Sequence, residues 1–139
     1  MDKEYLIWLA GFWEGEGSCG YYPDKKGGVG RITFTVNQKE RQSLQEIHDF
    51  FGYGAVSCGR KGTSKECYAY FTSSNSAMYI LELLLPFMRT DRKIKQAEDA
   101  IKNWKCRKQT KEFKERFSNF QREKALKANR NSTRNRFSK

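Results

Sequence analysis

Glu14 and Glu16 are the residues of this 139-residue chain whose type and placement point most directly to chemistry. They follow an apolar stretch containing Leu6, Ile7, Leu9 and Ala10, with Asp2 and Glu4 ahead of it, which reads as a helix. Both acids therefore fall at or just past the C-terminal end of that helix, where its dipole disfavours a carboxylate by up to about 1 kcal/mol. Glycines 11, 15 and 17 flank them. Gly11 and Gly15 are one helical turn apart, so one face is bare backbone that a second helix could approach closely. Gly17 suits a left-handed helix end. An acid held at the wrong end of a helix, beside bare backbone, suggests cation binding.

Other chemistries find less support. The single histidine, His48, lies off the apolar stripe of its helix and reads as a surface residue, which disfavours a histidine base. Cys19, Cys58, Cys67 and Cys106 lack the CxxC spacing of a zinc site, so reduced thiols are expected. The glycines between Pro23 and Gly30 are not followed by Gly-Lys-Ser/Thr, so this segment reads as a hairpin loop and not a phosphate loop. Gly59–Lys65, with Arg60 and Lys61, suits phosphate contacts and equally well a soluble turn. Arg89, Arg92, Lys93 and Lys95 crowd the start of a later helix, where the dipole disfavours cations and an anion would compensate.

Net charge is +11. Residues 1–104 hold 14 Lys and Arg against 13 Asp and Glu, and residues 105–139 hold 13 against 3. A nearly neutral body thus precedes a cationic tail, which argues for a polyanionic partner, foremost nucleic acid. An acidic membrane surface is the lesser option, and no apolar run approaches the roughly 18 residues of a membrane span, so no membrane partner is expected. No basic stretch precedes an apolar one at the N-terminus. The expected location is intracellular, in cytoplasm or an organellar matrix, and not secreted.

The elements that would position these residues follow in order. A short strand covers Ser18–Tyr22. Arg31–Asn37 alternates, with Ile32, Phe34 and Val36 on one side and Arg31, Thr33, Thr35 and Asn37 on the other. Lys39–Phe51 fits a helix with Leu44, Ile47 and Phe51 on one stripe, ended by Gly52 and Gly54. Ala55–Cys58 and Glu66–Ser73 read as a second strand pair, with Cys67, Ala69 and Phe71 inward and Tyr68 and Tyr70 outward. Ser76–Leu85 is an apolar helix closed by Pro86. Asp91 caps the next helix, whose stripe is Ile94, Ala97, Ile101 and Trp104. In the tail, Phe113, Phe117 and Phe120 suit an amphipathic helix that docks on the body, and residues 128–139 read as disordered when free. The expected fold is α+β: a four-stranded antiparallel sheet with helices on one face and the other face polar. Residues 1–104 form the body and residues 105–139 a basic, helical or disordered extension.

Leu9-Ala10-Gly11-Phe12-Trp13-Glu14-Gly15-Glu16-Gly17 resembles the motif of the LAGLIDADG homing endonucleases, conservatively at every position, with Glu at both acidic places. The order of elements that follows resembles the αββαββα body of that family. Thr33–Gln38 resembles the strand ending in a polar active-site residue, here Gln38. Pro86-Phe87 and the segment Lys93–Ala97 resemble the part carrying an active-site lysine, most simply Lys93, with Lys95 as second candidate. The resemblance does not cover the tail.

The family resemblance implies a site-specific endonuclease that hydrolyses both strands of duplex DNA at a long pseudo-palindromic site and leaves short 3′ overhangs. The motif occurs once, which implies a homodimer, with Ala10, Gly11, Glu14 and Gly15 at its seam. Glu16 would be the metal ligand and catalytic acid, joined by the Gly15 carbonyl. Glu14 reads as structural, bonding across the dimer or around the helix ends. Mg²⁺ is the expected cation, with other divalent ions such as Mn²⁺ as substitutes. Gln38 would orient water and Lys93 would offset phosphate charge. Tyr22, Arg31, Thr33, Thr35, Tyr68 and Tyr70 would face the major groove, with Arg60 and Lys61 nearby. The alternatives are an intron-encoded maturase that assists RNA splicing and a non-cleaving DNA-binding protein of the same fold.

Overall fold

The structure, a computed structural model, describes residues 2–26, 28–107, 119 and 122–128. Two compact units emerge. One comprises Met1–Pro23 and Gly30–Arg107, and the other Asp24–Val29 and Lys108–Lys139. In the second, the Lys26 backbone N–H donates to Asp24 Oδ1 (3.0 Å), a local turn bond, and residues 122–128 are helical and exposed. The expected helix face of Phe113, Phe117 and Phe120, and residues 129–139, lie outside the described residues.

The first unit runs α1 (Lys3–Glu16), β1 (Gly17–Tyr22), β2 (Arg31–Gln38), α2 (Arg41–Phe51), β3 (Ala55–Gly59), β4 (Cys67–Ser73), α3 (Ser74–Leu84), a 3₁₀ turn at Leu85–Phe87, and α4 (Asp91–Lys105). The strands form one antiparallel sheet in the order β1-β2-β4-β3. This is the expected αββαββα arrangement.

Local chemistry explains the element ends. Asp2 caps α1, its side chain accepting from the Tyr5 N–H (3.2 Å). Gly52 takes the left-handed conformation (φ 77°) that closes α2. Gly17 does not. It is extended (φ −112°, ψ 174°), because α1 passes straight into β1. Glycine is required there for space: a Cβ would stand 2.1 Å from the Trp13 ring and 2.8 Å from the Thr35 carbonyl oxygen.

The core lies between the sheet and the helices. Leu9, Ala10 and Trp13 of α1 meet Ile32, Phe34 and Val36 of β2, Leu44 and Ile47 of α2, and Ile80, Leu81 and Leu84 of α3, all fully buried. Burying each large apolar side chain contributes about 1.5–3 kcal/mol. Trp13 stacks on Phe34, with ring centroids 5.7 Å apart and planes 14° from parallel.

The faces of β4 are the reverse of those expected. Cross-strand partners share a face, and Tyr70 pairs with Val36 while Thr72 pairs with Phe34. Tyr70 is therefore in the core, fully buried, and Phe71 points out at 36% exposure. Tyr68 shares Tyr70's side, its hydroxyl donating to Glu66 Oε1 (3.3 Å). Burying Tyr70 is tolerated because its hydroxyl donates to the Tyr53 carbonyl (2.9 Å). Neither Tyr68 nor Tyr70 lies on the outer face, and Ala69 and Phe71 do not pack on the helices.

Candidate active site at the end of the first helix

The last turn of α1 carries Glu14, Gly15 and Glu16, and the two acids have different surroundings. Glu14 turns into its own chain. Its Oε1 accepts from the Arg89 N–H (2.7 Å), and its Oε2 accepts from the Thr90 N–H (3.0 Å) and the Thr90 hydroxyl. Partial burial pushes its carboxyl pKa up. The Thr90 hydroxyl bond, the two backbone N–H bonds and the Arg89 charge outweigh that and hold it below the ordinary glutamate range. Glu14 thus ties the end of α1 to the residues immediately before α4. Bonding around the helix ends, one of the two expected structural roles, is seen within the chain.

This tie sets the start of α4, and α4 delivers Lys93. Lys93 is 7% exposed, and its Nζ donates to the Gly17 carbonyl and stands 5.0 Å from the Trp13 ring centroid. Lys95, the second candidate, is exposed on another side of α4. One turn beyond Lys93, Gln96 Nε2 donates to the Cys19 carbonyl (2.6 Å). Two polar side chains on one face of α4 therefore grip the backbone of β1. Gln96 was missed from sequence, although its spacing of three from Lys93 places both on one helix face.

Glu16 is exposed beside this assembly. At a helix end the last carbonyls lack intrahelical partners, and the Gly15 carbonyl is among them. A carboxylate and a carbonyl form an all-oxygen donor pair. That pair suits a hard divalent cation, which completes its shell with water and phosphate. Among the described residues, no three His, Cys, Asp or Glu side chains are grouped to hold a metal. The donors present fit Mg²⁺ better than a softer ion that needs a protein cage.

Gln38 stands at the end of β2, two residues past the Val36–Gly17 pair, where the sheet meets α1. Its Oε1 accepts from the Lys39 N–H (2.8 Å), which fixes the amide and directs its NH₂ away from that bond.

Gly11 and Gly15 lie on an open side of α1. A Cβ built on either would meet nothing within 4 Å. Ile7 and Trp8 on the same helix are 48% and 43% exposed. Ala10, expected at a seam, is fully buried in its own core and offers no surface to a second chain.

The outer sheet face carries Tyr22, Arg31 and Thr35, with Tyr22 paired to Arg31. Thr33 shares that face but is only 6% exposed, so its hydroxyl is withdrawn from solvent. Arg60 and Lys61 are exposed in the turn after β3, where Arg60 has φ 54° and its carbonyl accepts from the Thr63 hydroxyl (2.7 Å). No helix among the described residues is long and apolar enough to cross a membrane.

Comparison with known proteins agrees with this fold. I-CvuI, solved in complex with a DNA target, is 22% identical with a TM-score of 0.59, covering 74% of this chain and 67% of its own. I-GzeII, also solved with its DNA target, is 28% identical with a TM-score of 0.63, covering 76% of this chain and 37% of its own. The group I intron-encoded I-CeuI, complexed with DNA, is 18% identical with a TM-score of 0.60, covering 75% and 55%. This chain thus spans about two thirds of I-CvuI and little more than a third of I-GzeII. No curated protein matches it. The family model for the LAGLIDADG endonuclease matches residues 9–105, from the first residue of the motif to the last of α4. With its motif helix, its αββαββα order and this match, the chain belongs to the LAGLIDADG endonuclease family.

Proposed function

We propose that this protein is a site-specific endonuclease that cuts both strands of duplex DNA as a homodimer, with Mg²⁺ and leaving short 3′ overhangs. The observation that carries this reading is the placement of the Lys93 ammonium on the Gly17 carbonyl, directly after Glu16. A divalent cation held by Glu16 and the Gly15 carbonyl would polarise a phosphate oxygen and make a water more acidic.

The chain's own groups do the rest. Lys93, fixed on the Gly17 carbonyl and against Trp13, holds a positive charge where the phosphate gains negative charge, with little reorganisation needed as it does so. Gln38, oriented by the Lys39 N–H, offers its NH₂ to position water. Gly11 and Gly15 leave room for a second α1, and two-fold packing there brings one Glu16 from each chain toward the axis. A symmetric dimer then addresses a pseudo-palindromic site, one strand per chain. Tyr22, Arg31 and Thr35 face the major groove, and Arg60 and Lys61 meet phosphates.

The test is cleavage of a library of duplex sites by the native protein and by Glu16→Gln. Mg²⁺-dependent double-strand cutting, lost in the variant while binding persists, is the expected result. Sequence-selective binding by the native protein without any cutting would make it a DNA-binding protein of this fold. Tighter binding to structured intron RNA than to duplex DNA would make it a maturase.

A further inference from the structure

The two central strands present opposite chemistry on the same outer face of the sheet. β2 shows Arg31, Thr35 and Asn37, each with a hydrogen-bonding group, on either side of the buried Thr33. β4 shows Cys67, Ala69 and Phe71, and only then Ser73. The register fixes their common face: Phe71 lies opposite Thr35, and Ala69 opposite Asn37. β3 places Ala55 against the other side of Phe71. Phe71 is 36% exposed, although a ring at the centre of a sheet is ordinarily covered. The Arg31 guanidinium lies 5.8 Å from its centroid, so the outermost cation of β2 reaches across to the ring.

A phenyl ring and two alanine methyls hold neither donor nor acceptor. They are blind to the hydrogen-bonding edges of base pairs. In the major groove they recognise one feature, the C5-methyl group of a pyrimidine. We propose that Phe71, with Ala55 and Ala69 beside it, reads C5-methyl groups in the major groove, a specificity that rests on the reading of this chain as a DNA endonuclease. Arg31, held over the ring, supplies the adjacent charged contact. At the base pairs beneath β4, selection follows the methyl group and not the base. Thymine and 5-methylcytosine are accepted alike, and uracil and cytosine are both weaker. Beneath β2 selection follows base identity, through hydrogen bonds.

The experiment uses the full-length protein. A preferred duplex is recovered from a randomised library, and each thymine is replaced singly by uracil, or each T·A pair by 5-methylcytosine·G. At one or two neighbouring positions in each half-site, uracil is expected to weaken binding about fourfold per methyl group lost. 5-Methylcytosine should restore it there. Phe71→Ala should abolish the thymine–uracil difference, and Phe71→Leu, which keeps an apolar surface, should retain it. Binding and cutting with uracil equal to thymine throughout would overturn this inference alone, as would an unchanged methyl effect in Phe71→Ala. Failure of 5-methylcytosine to replace thymine at the uracil-sensitive positions would also overturn it. Absence of selective binding to any duplex would overturn both this inference and the endonuclease reading.

Discussion

The two sides of α1 are built on opposite principles. Inward, Leu6, Leu9, Ala10 and Trp13 fill volume, and Glu14 is bonded to residues 89 and 90. Outward, Gly11 and Gly15 leave volume empty. At the exposed last residue of the helix, Glu16 has no such tie among the bonds described. The two acids are two residues apart, which turns them roughly 200° around a helix. That rotation separates an acid that holds the fold from one left available to a ligand. One helix of 14 residues can thus be a core element and a working surface at once. Its inward residues are selected for what they fill, its outward ones for what they leave open.

This contrast can be broken or sharpened by substitution. The largest effect is expected inward. Trp13→Ala removes a fully buried ring stacked on Phe34 and under Lys93, and should cost about 3–5 kcal/mol in urea unfolding. A loss below 1 kcal/mol would mean that α1 is not anchored through this side.

Lys93→Met comes next, and it should separate stability from activity. Cleavage should fall about 10²–10³-fold, as when one preorganised charge-stabilising donor is removed. Unfolding free energy should change by no more than about 1 kcal/mol, because the lost bond to the Gly17 carbonyl is offset by exchanging a buried ammonium for an apolar chain of similar length. Parallel loss of both would make Lys93 a structural residue only.

Glu14→Gln is smaller, about 1 kcal/mol after allowance for its partial exposure, and carries a pH signature. The folded state lowers the Glu14 pKa, so it favours the ionised form. Its stabilisation is therefore complete above the ordinary glutamate pKa and is lost as pH falls through the folded-state value. The gap between native protein and variant should be present at neutral pH and close in acid. A gap independent of pH would remove charge from the account of this tie.

The smallest effect has the most informative sign. Gly11→Ala adds a methyl where nothing lies within 4 Å in one chain, so the isolated chain should gain up to about 1 kcal/mol of helix stability. Association should weaken, as read by sedimentation at graded protein concentration. An unchanged dimer would place the seam elsewhere.

Much of the architecture was legible in neighbouring residues. The alternation of Ile32, Phe34 and Val36 defines β2, the apolar spacing defines the helices, and Leu9–Gly17 announces the family. Such signals survive in sequence because period and turn chemistry are properties of adjacent residues. Which way β4 faces was not legible. Both of its parities carry aromatic rings, and only its register against β2, with the Tyr53 carbonyl waiting for the Tyr70 hydroxyl, puts Tyr70 inside and Phe71 outside. Gly17 is a glycine because of Trp13 and Thr35, not because of its own dihedral angles. Ala10 and Gly11 are neighbours, yet only packing assigns one to the core and the other to the open side.

The candidate site divides the same way. The motif marks Glu16 by itself. The partners of Glu14 lie 75 and 76 residues away, and Lys93 is 76 residues from the carbonyl it meets. Lys93 and Lys95 look alike in sequence, and it is the phase of α4, set by the Glu14 tie and the Gln96 bond to β1, that turns Lys93 inward. Sequence alone determined the elements and the motif, because those are written in local periodicity. Tertiary structure decided the faces and the partners, because these depend on hydrogen bonds and close packing between residues that only folding brings together.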